Sequence, residues 1–172
     1  MTVPIALLTA KNASVEDDKS QTTSKESVAE VLIRCKTPLI DDWLARTKRI
    51  PELNHLELGD EERTGHLPKL VDDLVVRLNT HKVPTQESCA TVSRAAVAHG
   101  KRRRKQGYSA AMLIDESRIL EVTIFGALHQ NLSGLDFGLL LADVMVIADE
   151  VDAQLTQMIT SFTKAKPKAA AA

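Results

Sequence analysis

The densest group of side chains able to do chemistry lies in residues 98–120. Its polar members are His99, Arg103, Glu116 and Arg118. Gln106-Gly107 breaks a helical pattern and Ser109 can cap the next one, which predicts two consecutive helices joined by a tight turn. Arg103 and Glu116 would then face one another across the corner, where a guanidinium and a carboxylate can form a bidentate ion pair.

Two interpretations of this group remain open. In the first, Arg103 and Glu116 form a polar clamp that fixes the corner, and His99 donates to a nearby carbonyl or carboxylate. In the second, His99, Arg103 and Arg118 converge on a small anion or carboxylate ligand. The clamp is the preferred interpretation, and a small anionic ligand is retained as the alternative.

The sequence contains none of the motifs that assemble a catalytic site. It has no HExxH, paired CxxC, GxSxG or phosphate-binding loop. The carboxylates are scattered along polar helix faces, where water solvates them. We therefore expect no catalytic residues and a protein that is not an enzyme.

The histidines raise the question of a metal or haem group. They are His55, His66, His81, His99 and His129. Their spacings match no metal signature, and aromatic residues make up only 3% of the chain, too few to line a porphyrin pocket. We expect no metal and no cofactor.

Residues 101–105, Lys-Arg-Arg-Arg-Lys, form a basic run that could contact phosphates. On a helix such a run spreads around more than one turn, and the whole chain carries a net charge of -1. No helix-turn-helix pattern follows it. The run is typical of a solvated helix end whose charges favour the helix dipole, so nucleic-acid binding is not expected.

The composition is that of an ordinary globular protein. The 172 residues are 44% hydrophobic and 26% charged, and the apolar residues are mainly types that suit helices. No apolar run approaches the length of a membrane span, so a membrane partner is not expected. Cys35 and Cys89 lie far apart and form no CxxC pair, which is typical of reduced thiols in a cytoplasmic protein.

Apolar residues repeat with a helical period and nowhere with a sustained period of two, which predicts an all-α fold. We expect a single bundle of five to six helices with a long C-terminal helix, and a globin-like arrangement of the helices is the alternative. The polar start predicts a flexible arm over residues 1–23, and the basic, alanine-rich end predicts a flexible tail over residues 163–172. The domain is assigned to residues 24–162.

Local signals set the helix boundaries. Ser24 or Ser27 can cap the first helix, and Pro38 interrupts or restarts it. Residues 59–62 are typical of a cap followed by an acidic first turn. A later helix is predicted to open at Thr85 and to include Val92. The helix after the corner is predicted to bury Leu113, Ile114, Leu120, Ile124 and Leu128.

The last helix carries an apolar stripe whose spacings alternate between four and three. Its members are Phe137, Leu141, Val144, Ala148, Val151, Leu155, Met158 and Phe162. Such a stripe favours left-handed pairing with another helix. We expect its first half to pack into the bundle. Polar residues surround the second half, which predicts a narrow seam for a homodimer or an output partner at Val151, Leu155, Met158 and Phe162.

Residues 98–120 also resemble a known family. The pattern of the N-terminal sensor domain of RsbRD-type stressosome co-antagonists and of bacterial histidine kinases is matched by His99-Gly100, Arg103, Gly107-Tyr108 and Glu116-Ser117-Arg118-Ile119-Leu120. Upstream, the same pattern is matched by Trp43-Leu44 and by His66-Leu67-Pro68 with Leu70, Val71 and Leu74. The resemblance covers residues 31–159.

The resemblance implies a helical input module without chemistry of its own, and it adds Trp43 and His66 to the residues of interest. Two positions depart from the pattern. Ser117 stands where an aromatic residue is usual, and Glu121 stands where a second arginine is usual. If that arginine binds a signal, this chain has lost or altered that contact.

We therefore expect a non-catalytic regulatory or sensory input domain of bacterial signal transduction. It would act in the cytoplasm and couple through its C-terminal helix to a signalling partner, an output domain or a second copy. The alternative is an adaptor bundle that binds another protein without responding to a ligand.

Overall fold

A computed structural model of the chain describes residues 25–80 and 92–164. These residues form helices and no β-strand, apart from one isolated parallel bridge between Glu26 and Leu135. The all-α prediction is confirmed. The predicted arm over residues 1–23, the helix start at Thr85, His81, Cys89 and the end of the tail lie outside the described residues.

The first two helices are α1 (Val28–Arg34) and α2 (Lys36–Thr47), separated by Cys35 alone. Ser27 caps α1: its hydroxyl accepts the Glu30 N–H at 3.2 Å, and the Glu30 carboxylate accepts the Ser27 N–H at 2.8 Å. Pro38 is the third residue of α2, where a helix needs no amide donor. The helix is therefore interrupted at Cys35 and restarts with Pro38 in the first turn of α2.

Two single turns, α3 (Pro51–Asn54) and α4 (Asp60–Thr64), lead to α5 (Leu67–Thr80). The predicted acidic turn over residues 59–62 forms the start of α4, where the Glu62 carboxylate accepts the Gly59 N–H at 3.1 Å. α5 packs against α1, α2 and α8 and buries the apolar residues of one face.

The helices α6 (Arg94–Lys105) and α7 (Ala110–Gln130) meet at the predicted tight corner. Gly107 has a φ of 87°, a left-handed conformation that glycine adopts without strain. Ser109 caps α7 by accepting the Met112 N–H at 3.2 Å.

Two details of α6 and α7 differ from the prediction. Ser93 caps α6 by accepting the Ala96 N–H at 3.0 Å, so the helix starts after Ser93, and the inclusion of Val92 was wrong. Ile114 was predicted to be buried but is 51% exposed. Ile119 occupies a buried position on α7 instead.

The long C-terminal helix is α8 (Phe137–Lys164), reached from α7 through a 3-10 turn at Leu132–Gly134. It packs along α5, α6 and α7 and so forms one side of the core. The described part of α8 runs to Lys164, so residues 163 and 164, predicted to belong to the flexible tail, are helical. Within residues 25–80 and 92–164, no helix combines the length and apolarity needed to cross a membrane.

The burial of the apolar stripe on α8 is the reverse of the prediction: its C-terminal members are buried, and two of its N-terminal members are exposed. Val151, Met158 and Phe162 are buried within the chain's own bundle and Leu155 is half-buried, so the predicted partner seam over these four residues was wrong. Phe137 and Leu141, expected inside the bundle, are 57% and 75% exposed. The reason is α6, which packs closely on the C-terminal part of α8, around Met158.

Candidate functional site

Glu116 on α7 is the centre of a buried polar cluster. Its carboxylate is bound by Tyr108 Oη at 2.7 Å, by Nε and Nη2 of Arg103 at 3.1 and 2.9 Å, and by Nε2 of His99 at 3.1 Å. The Glu116 side chain is 5% exposed and that of Arg103 is 0% exposed. These donors occupy both oxygens, so the carboxylate is held in place as an anion.

The corner between α6 and α7 brings these donors to Glu116. His99 and Arg103 lie four residues apart on α6 and therefore share one face. Gly107 reverses the chain after α6, and the Tyr108 N–H donates to the Arg103 carbonyl at 3.1 Å. The turn thus returns the Tyr108 ring to the face that already carries His99 and Arg103.

Arg103 also ties the cluster to the end of α4. Its Nη2 donates to the Arg63 carbonyl at 2.8 Å, and its Nη1 donates to the Glu62 carbonyl at 3.2 Å and to Gln106 Oε1 at 2.9 Å. Its Cζ lies 4.6 Å from the centroid of the Tyr108 ring. A fully buried guanidinium is tolerated because each of its nitrogens has a partner.

A second buried arginine, Arg63, closes the loop before α4. It donates to the carbonyls of Leu53, Leu56 and Leu58 at 2.9, 2.6 and 3.2 Å. Because the Arg63 carbonyl accepts from Arg103, this loop and the Glu116 cluster form one hydrogen-bond network.

Two further aromatic rings, those of His66 and Trp43, extend the cluster from His99. The rings of His66 and His99 are stacked, with centroids 3.6 Å apart and planes at 15°. Trp43 meets His66 edge to face at 5.9 Å and 80°, and its Nε1 donates to the Glu116 main-chain carbonyl at 3.1 Å. The rings therefore connect α2 and the start of α5 with α6 and α7.

Burial sets the charge states of the cluster. Burial lowers the pKa of His66 well below its ordinary value, and the neighbouring His99 and Arg103 lower it further. Burial also lowers the pKa of His99, although Glu116 opposes that shift. Burial acts to raise the pKa of Glu116, but the His99 hydrogen bond and the Arg103 charge together outweigh it, so the pKa of Glu116 is lowered. At neutral pH the cluster holds neutral imidazoles beside an Arg103–Glu116 ion pair.

The geometry disfavours a metal centre in this cluster. His66, His99 and Glu116 do bring potential ligand atoms within 4.8 Å of one another. A metal ion binds an imidazole along the nitrogen lone pair, in the plane of the ring, and the two rings are stacked nearly parallel. They therefore do not aim at a common point, and Arg103 and Tyr108 already occupy the Glu116 oxygens.

The structure brings together most of the predicted site. The ion pair between Arg103 and Glu116 is present, and His99 and His66 lie beside it. Arg118 does not join them: its side chain is 63% exposed and lies 3.7 Å from Asp115. The predicted convergence of Arg118 with His99 and Arg103 was wrong. Arg118 comes two residues after Glu116 on α7, and residues two apart on a helix face nearly opposite sides.

Two residues of this hydrogen-bond network, Tyr108 and Arg63, were not identified as site residues from the sequence. Tyr108 belongs to the pattern that carries the family resemblance, and its position directly after a turn glycine was a usable signal. Arg63 had no such signal, because its partners are backbone carbonyls that sequence patterns do not display. Trp43 was of interest only through the resemblance, and the structure shows that it donates to the Glu116 backbone.

Comparison of the chain with protein-family models, with curated proteins and with solved structures finds no match in any of the three. The resemblance to the RsbRD-type sensor domain and the globin-like arrangement therefore stay predictions.

Proposed function

We propose that this chain is a non-catalytic regulatory input domain of bacterial signal transduction, in which the Glu116 cluster receives the signal and α8 transmits it. The observation that carries the proposal is the adjacency of His99 and Gly100 on α6. His99 binds Glu116, and the next residue, Gly100, touches α8. The contact with Glu116 and the contact with α8 are therefore made by consecutive residues of α6.

Gly100 is a point of direct contact between α6 and α8. A β-carbon at this position would overlap the Met158 carbonyl and the Ser161 hydroxyl, so no side chain separates the two backbones. Because His99 is held by Glu116, a change in that contact shifts α6 directly against α8. Tightly packed interfaces respond to such shifts by moving between discrete arrangements.

Both ends of α6 hold α8 as well. At the N-terminal end, the Ser93 N–H donates to Gln157 Oε1 at 2.8 Å. Near the C-terminal end, Cζ of Arg104 lies 5.0 Å from the centroid of the Phe162 ring. A shift of α6 is therefore passed to the C-terminal half of α8 as a whole.

The chemistry of the cluster supports a regulatory role. Burying a charge pair requires desolvation, and apolar side chains of similar volume often stabilise such a corner at least as well. A buried network of ionisable groups offers a charge state that a signal can change. The family resemblance of residues 98–120 supports the same assignment.

The test is hydrogen exchange in α8 after a change confined to the cluster. His99→Gln retains an amide donor for Glu116 but removes the ring stacked on His66. We expect faster exchange of α8 amides around Met158 and Ser161, because the contact at Gly100 loosens. Trp43, the only tryptophan in the chain, reports the cluster itself through its emission.

The matched control is His129→Gln at the exposed end of α7, which should change neither signal. If His99→Gln alters Trp43 emission while α8 exchanges as in the wild type, the cluster is not coupled to α8. An unchanged emission spectrum together with unchanged exchange would equally contradict the proposal.

The exposed apolar face of α8 favours a second candidate function, an adaptor bundle that pairs with a second copy. Phe137, Leu141 and Met145 are spaced by four residues, share one face and are all more than half exposed. Two such stripes can pair around a two-fold axis, because each presents the same surface to the other.

Sedimentation over a range of concentrations tests the adaptor candidate. We expect a dimer that Leu141→Glu converts to a monomer, whereas Ile114→Glu, an equally apolar-to-charged change on α7, leaves the mass unchanged. A wild-type chain that stays monomeric at every concentration removes this candidate. A dimer whose α8 exchange is insensitive to His99→Gln favours the adaptor over the input domain.

A further inference from the structure

A cleft opens between the start of α5 and the adjoining face of α6. Its volume is about 170 Å³. Three cationic side chains line it, Lys69 from α5 and Arg94 and Arg102 from α6, and small residues leave the space between them. His66 and His99 form part of the same wall.

The residues that line this cleft carry only positive charge, although Lys69 and Arg94 also line a neighbouring pocket that contains Asp72, Asp73 and Glu150. None of the described residues forms an ion pair with Lys69, Arg94 or Arg102, and none of the residues that line the cleft is acidic. Like charges gathered around a concave surface create a local positive potential, which attracts an anion.

The histidine wall provides an independent observation. His66 and His99 are both more than nine-tenths buried, and Nδ1 of each ring has no hydrogen-bond partner among the described residues. Buried ring nitrogens are normally paired, so two unpaired ones beside a cationic cleft call for an explanation. In His99, Nε2 donates to Glu116, which leaves a lone pair on Nδ1 of the neutral ring.

We propose that this cleft binds one small oxyanion (sulfate, phosphate or a carboxylate) through Lys69, Arg94 and Arg102, and that binding adds a proton from solvent to Nδ1 of His99. The resulting imidazolium keeps its Nε2 hydrogen bond to the Glu116 carboxylate and forms part of the wall of the cleft that holds the oxyanion. No bond other than the new N–H is formed.

The charges around His99 make binding of the oxyanion and protonation of His99 favour each other. Burial and the Arg102 and Arg103 charges lower the pKa of His99, and an anion paired with Arg102 offsets part of that effect. The titratable and charged groups around His99 are His66 just before α5, Lys69 from α5, Arg102 and Arg103 from α6, Tyr108 from the corner and Glu116 from α7.

The size of the cleft restricts the ligand. Pockets for drug-sized ligands start at about 300 Å³, so 170 Å³ suits a single oxyanion group with a few waters. Nδ1 of both rings is inaccessible to solvent in this structure. The cations therefore make the direct contacts, and the histidine responds to the charge.

This site differs from the anion site expected from the sequence. Arg118 is not part of it, and Arg103 is paired with Glu116 and does not line the cleft. The site names a ligand class for the input of the proposed function, and it rests on that function only in treating the ligand as a signal.

The experiment is calorimetric titration of the whole chain with sodium sulfate at low ionic strength, because sulfate does not titrate between pH 6 and pH 8. We expect saturable binding of one sulfate per chain, up to about tenfold tighter for each pH unit lowered while one proton is taken up. Repeating the titration in two buffers of different ionisation enthalpy measures that uptake directly. Phosphate and acetate then show which oxyanion is preferred, and chloride serves as the ionic-strength control.

The variants separate a site from general surface charge. Lys69→Gln with Arg102→Gln should weaken sulfate binding by about tenfold or more, since each partly screened charge contact contributes a few-fold. Lys101→Gln with Lys105→Gln removes the same charge from exposed positions of α6 outside the cleft and should change the affinity less than about twofold.

Three results overturn the proposal: no saturable binding of any of the three oxyanions, equal weakening by the two pairs of substitutions, or binding without proton uptake. None of these results bears on the coupling of His99 to α8, which the hydrogen-exchange experiment decides. Conversely, sulfate binding in a chain whose α8 ignores His99→Gln supports the site and rejects the proposed function.

Discussion

Replacing Glu116 with glutamine is the sharpest test of the buried cluster. The substitution keeps the size of the side chain but removes the charge opposite Arg103, whose guanidinium is 0% exposed. Breaking a buried ion pair from one side costs about 3–5 kcal/mol, because the remaining charge is left in a poorly solvating environment. The three carbonyl-type acceptors of Arg103 moderate this loss, whereas the new amide group opposes the donors of His99 and Arg103.

The adjacent carboxylate supplies the matched control for Glu116→Gln. Asp115 lies 3.7 Å from Arg118, and the two side chains are 39% and 63% exposed. Asp115→Asn removes the same charge from the same turn of α7, yet an exposed pair of this kind contributes about 0.5 kcal/mol or less. The two substitutions should therefore differ by several kcal/mol.

Urea denaturation at pH 7.5, followed by far-ultraviolet circular dichroism, measures both free energies of unfolding. A loss of less than about 1 kcal/mol for Glu116→Gln, at an unchanged dependence on urea, would refute the reasoning. Adding Arg103→Met to Glu116→Gln should restore part of the stability, because the uncompensated charge is then gone. The two substitutions should thus depart from additivity by more than about 1 kcal/mol.

Two further predictions concern pH and helix packing. The pKa of His66 is lowered by burial, so the unfolded chain takes up that proton first and stability is lost as the pH falls below 6.5. His66→Phe should reduce the slope of unfolding free energy between pH 6.5 and pH 5 by up to about 1.4 kcal/mol per pH unit, and an unchanged slope would contradict the burial argument. Gly100→Ala should destabilise the chain by about 1–3 kcal/mol, because the new methyl group overlaps α8. A methyl group added by Gly126→Ala on α7 meets nothing within 4 Å, so this substitution should stabilise the chain by about 0.5–1 kcal/mol in the same denaturation assay. Equal effects of Gly100→Ala and Gly126→Ala would show that α6 and α8 are not in close contact.

Features that depend on neighbours in sequence were predictable. The Ser27 cap, the restart at Pro38 and the corner at Gly107 follow from residues a few positions apart. The corner, in turn, made the Arg103–Glu116 ion pair predictable, because consecutive helices joined by a short turn must face each other.

Features that depend on distant segments were not predictable. The α8 stripe shows that some face of the helix is apolar, but not which part another helix covers. The covered part of α8 is determined by the close approach of α6 at Gly100 to Met158, two residues that are far apart in the sequence. The same holds for Arg63, whose partners are carbonyls exposed only by the fold of its own loop.

The sequence by itself thus determined an all-helical chain, its main turns and a polar corner, because those depend on local backbone preferences and helical periodicity. Only the tertiary structure decided that His66 stacks on His99, that Arg118 faces solvent and that Phe137 and Leu141 on α8 are exposed. Those outcomes depend on how helices cross, which is set by side-chain shape at contacts between residues remote in the chain.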